Sequence, residues 1–117
     1  MQWKEISARI RGDVVVIDLA GNMCLCGENE LRDFVVHLLD QGSRQFVLNL
    51  LRTPSIDSSG LGGMVQAYSA VARKGGKLKL LHVHPRIRQL LDTTRVASIF
   101  EMFTSEDEAV SSFTEHG

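Results

Sequence analysis

Short apolar runs alternate along this chain with longer segments that carry a single apolar stripe. The run over residues 46–51 is typical of a buried strand, because it is short, nearly all apolar and bounded by polar residues. The next segment, from residue 58 or 59 to about 73, has apolar residues at helical spacing, and the Gly75-Gly76 pair ends it. Residues 77–83 alternate enough to predict another strand. This succession of strand, helix and strand calls for a right-handed crossover and parallel pairing.

A hairpin and a helix are predicted ahead of this unit. Strands over residues 6–11 and 14–19 are separated by a Gly-Asp pair, which suits a tight turn. Apolar residues between 31 and 39 fall on one stripe of a helix, which Gly42 closes as a left-handed cap. The chain therefore starts with an antiparallel pair and continues with helix-connected strands.

Short elements are predicted for the last third of the chain. Pro85 suits the first position of a short helix that is interrupted near Thr93, and residues 99–103 suit a short edge strand. Ser105 and the glutamate three positions later form a capping-box signature for a last helix. The prediction is an α/β fold, a single domain over residues 1–117, with a central mixed, mostly parallel sheet of four to five strands and about four helices.

Charge, cysteine usage and hydropathy narrow the function classes. The 13 basic and 14 acidic side chains give a net charge of -1, without the positive field of a nucleic-acid binder. Cys24 and Cys26 are too close for a comfortable disulfide and too few to form a zinc site, so we expect reduced thiols. No stretch approaches the ~20 apolar residues that span a bilayer. We expect a cytoplasmic protein without a cofactor.

The sequence D-S-S-G-L-G stands where a predicted strand and its loop give way to the longer helix. A helix start presents unpaired N–H groups and the positive end of the dipole, so it stabilises anions. Glycines there permit close approach of another backbone. A serine in this place can accept a phosphate, although Asp or Ser before a helix is most often only an N-cap. The candidate binding segment consists of Asp57, Ser58, Ser59, Gly60, Leu61 and Gly62.

This segment and its surroundings resemble the STAS family, the anti-sigma-factor antagonists of bacterial sporulation and stress responses. The matching residues run from the apolar strand at 46–50, through D-S-S-G-L-G, to the stretches G-G-K-L-K-L at 75–80 and P-R-I-R at 85–88. The resemblance extends over almost the entire chain and implies a STAS-like fold. Two positions differ from many members of the family: Cys24 replaces an acidic residue, and Asn49 replaces an aspartate.

The resemblance also implies a phosphorylation cycle. In the family, the second serine of the core is phosphorylated by a partner that is both an anti-sigma factor and an ATP-dependent serine kinase. Carried onto this chain, that residue is Ser59, with Asp57 and Ser58 in support. The unmodified antagonist captures the kinase and frees a sigma factor, and a PP2C-type phosphatase later removes the phosphate. The ATP belongs to the kinase, so the resemblance implies a protein-binding module rather than an enzyme.

Other functions stay open at this point. A STAS module could instead be a constitutive part of a stress-signalling or transport complex, and the helix start would also suit a nucleotide or another small anion. The chain has neither a G-x-S-x-G elbow nor a G-x-x-x-x-G-K-[ST] phosphate loop, so autonomous catalysis is not expected.

Two groups of side chains outside the segment are interpreted as having no functional role. His82 and His84 are predicted to project to the same side of a strand end, but no carboxylate motif accompanies them and no metal is expected. A local basic cluster could meet an acidic partner surface, though a solvated face is the simpler interpretation. Its members are Lys77, Lys79, Arg86, Arg88 and Arg95.

Overall fold

The computed structural model describes residues 5–21 and 28–113. Its strands are β1 (Glu5–Arg11), β2 (Val14–Ala20), β3 (Gln45–Arg52), β4 (Lys77–Leu81) and β5 (Met102–Phe103). Its helices are α1 (Glu28–Asp40), α2 (Ser58–Arg73), α3 (Pro85–Thr93) and α4 (Glu106–Ser111), with a 3-10 turn at Ala97–Ile99. In this part of the chain, no helix is both long and apolar enough to cross a membrane.

The strands form one mixed sheet in the order β1-β2-β3-β4-β5. β1 and β2 are the predicted antiparallel hairpin, and every later pair is parallel. The predicted α/β class with a mostly parallel sheet is confirmed. Because β2, β3 and β4 run in the same direction, their carboxyl ends meet at one edge of the sheet, and the loop to α2 leaves from this edge.

Helices cover the two faces of the sheet unequally. On one face, α1, α2 and α3 pack over the main core, which includes Leu48 and Leu80. On the other face, Val47 and Leu81 belong to a smaller apolar cluster that Ala109 of α4 covers. Neighbouring residues of a strand point to opposite faces, so one strand feeds both clusters. We call these surfaces the three-helix face and the α4 face.

β4 is two residues shorter than predicted. The strand expected over residues 77–83 ends at Leu81, because His82 has a left-handed backbone conformation with φ of 58°. The prediction that His82 and His84 project together from a strand end is therefore wrong. His84 is the N-cap residue of α3, and Pro85 takes the first helical position, as predicted.

β5 is also shorter than its prediction. Of residues 99–103, only Met102–Phe103 forms a strand, since Ile99 closes the 3-10 turn. This turn directs Phe100 into the main core, where its ring meets that of Tyr68 edge-on at 5.4 Å between centroids. The 3-10 turn and the burial of this aromatic ring thus take the place of strand pairing at residues 99 and 100, while the Glu101 carbonyl oxygen still accepts from the Leu80 amide at 2.9 Å.

Lys79 is buried on the α4 face rather than solvated. Its residue is 6% exposed, and its Nζ atom donates to Ser112 Oγ at 2.8 Å and lies 4.3 Å from the ring centroid of Phe113. The alternation of side chains along β4 explains this, because residues 79 and 81 both point under α4. The prediction of a surface cluster that includes Lys79 is wrong.

Candidate functional site

Asp57 caps the N-terminus of α2. Its backbone is extended, with φ of -101°, and its Oδ1 atom accepts a hydrogen bond from the Gly60 amide at 2.9 Å. Its carbonyl oxygen accepts from the Leu61 amide at 2.9 Å, which closes the first helical turn. The aspartate therefore takes the capping role that sequence reasoning also considered for the serines. The helix begins at Ser58, one of its two predicted starts, and Ser59 is its second residue.

The six residues of the candidate segment divide between surface and core. Asp57 and Ser58 are exposed, and Ser59 is partly exposed. Leu61 is buried in the main core, where it anchors the start of the helix, and Gly60 is buried beside it. The part that these two residues would take in partner binding stays a prediction. The side chains available to a visiting protein are thus those of Asp57, Ser58 and Ser59.

Gly62 belongs to the surface part of the segment. A Cβ atom added to Gly62 would meet no atom within 4 Å, so no neighbour in the described structure requires a glycine there. Gly76 is the opposite case, because a Cβ atom there would lie 2.2 Å from the Arg44 carbonyl oxygen. Packing explains Gly76, and it leaves Gly62 unexplained.

The start of α2 offers donors to an anion. By helix geometry, the amides of Ser58 and Ser59 have no partner within the helix, and the positive end of the dipole lies at the same place. The carboxylate of Asp57 already occupies one side of this site through its bond to the Gly60 amide. A negative group on Ser59 would gain from the helix start and would be repelled by Asp57.

Neighbouring segments hold the end of β3 and the first residue of the loop to α2 from both sides. On the β2 side, the hydroxyl of the fully buried Thr53 donates to the Leu19 carbonyl oxygen at 3.1 Å, and the Gly21 amide donates to the Arg52 carbonyl oxygen at 2.9 Å. On the β4 side, His84 Nε2 lies 3.0 Å from the Leu51 carbonyl oxygen. Sequence reasoning missed Thr53, whose only signal was a small polar residue two positions after the predicted apolar strand. These contacts fix the position from which α2 starts.

Asn49 and Asp18 meet at the carboxyl edge of the sheet. Asn49 Nδ2 donates to Asp18 Oδ1 at 2.8 Å, and Asn49 Oδ1 accepts from the Leu51 amide at 3.1 Å. The pKa of Asp18 is lowered from its ordinary value, mainly by the hydrogen bond from the Arg9 guanidinium and further by the Asn49 amide. An aspartate at position 49 would instead set two carboxylates against each other. This contact gives a physical reason for asparagine at this position.

The other sequence candidates do not form a site in the described structure. Cys24 and Cys26 lie outside the described residues. Within residues 5–21 and 28–113, no group of three or more His, Cys, Asp or Glu side chains could hold a metal ion. The ring of His84 is engaged by the backbone of β3, as described above.

Comparison with known proteins identifies relatives of the whole domain. The STAS domain family matches residues 5–109. The anti-sigma F factor antagonist of Paenibacillus polymyxa is 27% identical to this chain, and the match covers 84% of this chain and 85% of the relative. The anti-sigma-B factor antagonist of Bacillus subtilis (strain 168) is 28% identical, with 82% and 87% covered.

Solved structures share the fold. The anti-sigma factor antagonist SpoIIAA in its unphosphorylated form superposes with a TM-score of 0.80 at 21% identity, covering 94% of this chain and 96% of that one. The phosphorylated form of Bacillus SpoIIAA gives 0.73 at 22% identity, with 93% and 99% covered. A sulfate transporter family protein from Wolinella succinogenes gives 0.78 at 17% identity, with 91% and 88% covered. From the family match and the shared fold together, this chain belongs to the STAS domain family.

Proposed function

We propose that this chain is an anti-sigma-factor antagonist that binds an anti-sigma factor with serine kinase activity while Ser59 is unmodified and releases it once Ser59 is phosphorylated. The observation that carries the proposal is the placement of Ser59, which is the second residue of α2 and partly exposed. The names of the two sequence relatives, both antagonists of anti-sigma factors, support the same role.

The geometry of the helix start favours a switch that acts at the surface. Phosphorylation adds about -1.5 to -2 charges and a tetrahedral group. The amides and the dipole of α2 stabilise this charge on the chain, so the fold tolerates the modification. A partner seated on the same turn would meet the phosphate and the Asp57 carboxylate together. Steric overlap and desolvation of this charge then expel the partner without unfolding the domain.

The two modifying activities belong to other proteins in this proposal. The kinase partner supplies the ATP, and the chain itself supplies only the acceptor hydroxyl and the surface around it. A PP2C-type phosphatase hydrolyses the phosphoserine and restores the binding surface. The chain acts as a binding module and uses no cofactor of its own.

Ser58 and Ser59 provide a matched pair for testing the acceptor. The chain is incubated with its cognate anti-sigma factor kinase and Mg-ATP, and phosphopeptides are mapped by mass spectrometry. We expect phosphate on Ser59 in the unaltered chain and in Ser58→Ala, and no phosphate in Ser59→Ala. Phosphate on Ser58, or none on either residue, would refute the assignment.

Binding of the same variants tests the switch. Ser59→Ala should bind the kinase partner as the unmodified chain does, because it keeps a small, uncharged side chain. Ser59→Asp should bind at least about tenfold more weakly, since it supplies part of the phosphate charge. Equal affinity of both variants would contradict regulation at this residue.

A constitutive role in a larger assembly is the second candidate. The shared fold of the Wolinella succinogenes sulfate transporter family protein favours it, because the same architecture there belongs to a protein of a different kind. In that role, neither Ser59→Asp nor phosphorylation would change affinity for the rest of the assembly. The binding measurements above therefore distinguish the two functions.

A further inference from the structure

One exposed stripe of α2 begins at Ser59 and runs to the end of the helix. Positions 59, 62, 66, 69 and 73 are spaced by three and four residues and therefore lie on one side of the helix. All are partly or fully exposed, while the opposite side of α2 packs into the main core. We call this surface the α2 stripe. It consists of Ser59, Gly62, Gln66, Ser69 and Arg73.

The C-terminal part of the α2 stripe, Gln66, Ser69 and Arg73, forms one wall of a groove between α1 and α2. The groove has a volume of about 550 Å³, and apolar atoms from Val36, Leu39 and Val65 contribute to its lining. The side chain of Val36 is exposed, so the groove presents apolar surface that no other residue of the described structure covers. The groove is therefore continuous with the surface that carries the proposed phosphorylation site.

The charges around this groove are mostly positive. Arg32, Arg73 and Lys74 line it, against the single acidic residue Asp40. Arg32 is partly satisfied within the chain, because its Nη2 atom pairs with Asp33 Oδ1 at 3.0 Å. Arg73 and Lys74 are exposed at the end of α2, where they are available to carboxylates of a partner.

Besides the groove and its charges, Gly62 also indicates that a partner contacts the α2 stripe. A glycine inside a helix costs up to about 1 kcal/mol relative to alanine, and the space around Gly62 would accept a side chain. The fold thus loses stability here without gaining packing. Because Gly62 has no side chain, another backbone can approach α2 closely one turn after Ser59.

We propose that the anti-sigma factor kinase that covers Ser59 also extends along the α2 stripe into the α1–α2 groove. The inserted part of the partner carries an apolar side chain that seats beside Val36 and carboxylates that meet Arg73 and Lys74. This inference rests on the proposed function and specifies the partner surface for it. It gives the partner a second anchor at Arg73, at the opposite end of α2 from the residue that is modified.

Charge reversal at Arg73 tests the groove directly. Affinity for the purified cognate anti-sigma factor kinase is measured by calorimetry with the unaltered chain, Arg73→Glu and Arg95→Glu. Arg95 is an exposed residue beyond the end of α3 and receives the same charge change. We expect about fivefold to tenfold weaker binding for Arg73→Glu and a change within about twofold for Arg95→Glu. Equal losses in the two variants would overturn the proposal, because a general field would explain them.

Gly62→Gln tests the close approach with a readout that is independent of charge. The longer side chain should weaken binding about tenfold by standing in the path of the partner. Its thermal unfolding midpoint should stay the same or rise, because glutamine is a better helix residue than glycine. Unchanged affinity in Gly62→Gln would overturn the proposed path along α2.

The outcomes separate this inference from the function on which it rests. If Ser59→Asp loses affinity while Arg73→Glu and Gly62→Gln bind normally, the function stands and the extended contact is refuted. If the unmodified chain binds no anti-sigma factor kinase, the function and the inference are both refuted. Weaker binding of Arg73→Glu and Gly62→Gln, with Arg95→Glu normal, supports both.

Discussion

The three-helix face and the α4 face of the sheet differ in what holds their helices. On the three-helix face, long helices bury an apolar core around strand residues such as Leu80. On the α4 face, ion pairs between side chains help to hold a helix of only six residues. Arg9 and Arg11 pair with Glu106, and Arg11 also pairs with Asp107 at 2.8 Å. The face that carries the candidate site is therefore the one with the deeper apolar packing.

The deep packing of α2 on the three-helix face supports the proposed regulation. Regulation by a surface phosphate requires that the start of α2 keep its position while its charge changes. The buried side of α2 and the bonds that hold the β3–α2 loop supply this rigidity. The apolar cluster that α4 covers is separate from the core on which α2 packs.

The largest expected change in the free energy of unfolding is at the core leucines of β4, where Leu80→Ala is compared with Leu81→Ala. Both leucines are fully buried neighbours on β4, and they point to opposite faces. Each substitution should lower the free energy of unfolding by about 2–5 kcal/mol, with Leu80→Ala near the top of this range. The short α4 can move into the space left at Leu81. The longer helices of the three-helix face move less, so a larger cavity stays at Leu80.

Urea unfolding of the two variants measures this difference. A larger loss for Leu81→Ala than for Leu80→Ala would contradict the comparison, because it would make the α4 face the more tightly packed of the two.

The next effect concerns the buried lysine of the α4 face. Lys79→Ala removes the stem that packs under Phe113 and the hydrogen bond to Ser112, so the free energy of unfolding should fall by about 1–3 kcal/mol. Lys79→Met keeps most of the volume and should lose less than the alanine variant. Chemical denaturation measures both, and a Lys79→Ala variant as stable as the unaltered chain would refute this role.

A smaller effect is expected at the cap of α2. Asp57→Ala removes the acceptor of the Gly60 amide and should lower the free energy of unfolding by about 1 kcal/mol. Asp57→Asn keeps an acceptor oxygen and should lose only part of this. Thermal unfolding distinguishes the two, and identical midpoints for Asp57→Ala and the unaltered chain would show that the cap contributes nothing.

The smallest effect depends on pH. Hydrogen bonds from Arg9 and Arg11 lower the pKa of Glu106 from its ordinary value of 4.5. A carboxylate with a lowered folded pKa stabilises the protein above the unfolded pKa, and this contribution is lost as the pH falls through the folded value. Glu106→Gln should therefore cost less than about 1 kcal/mol at neutral pH, and the difference should shrink below pH 4.5.

Glu108→Gln is the matched control for this experiment, because Glu108 is an exposed carboxylate of the same helix. Its effect on the free energy of unfolding at neutral pH should be smaller, because the structure gives its carboxylate neither of the arginine partners of Glu106. A Glu106→Gln effect that grows as the pH falls would contradict the sign of the shift.

The longer elements could be predicted because one local pattern determines each of them. The start of α2 at Ser58 follows from an apolar strand, a polar loop and a helical stripe in succession. The end of β4 could not be predicted, since the left-handed conformation of His82 has no local signal in a non-glycine residue. The burial of Lys79 was also hidden, because it depends on Phe113 and Ser112, more than thirty residues away.

The candidate site shows the same limit. The motif around Ser59 lies in one continuous stretch, so the sequence alone could indicate it. The α1–α2 groove could not be indicated in that way, because its walls come from two helices separated by a strand. The contact between Asn49 and Asp18 likewise joins two strands and appears only once they pair.

Titration of the anti-sigma factor kinase with the unmodified chain and with the same chain phosphorylated at Ser59 tests the central claim most directly. Both samples should show the same far-UV circular dichroism, since the phosphate is accommodated at the helix start. We predict that phosphorylation weakens binding by about a hundredfold or more, a loss of at least about 2.7 kcal/mol. Equal affinity of the two samples would contradict the account.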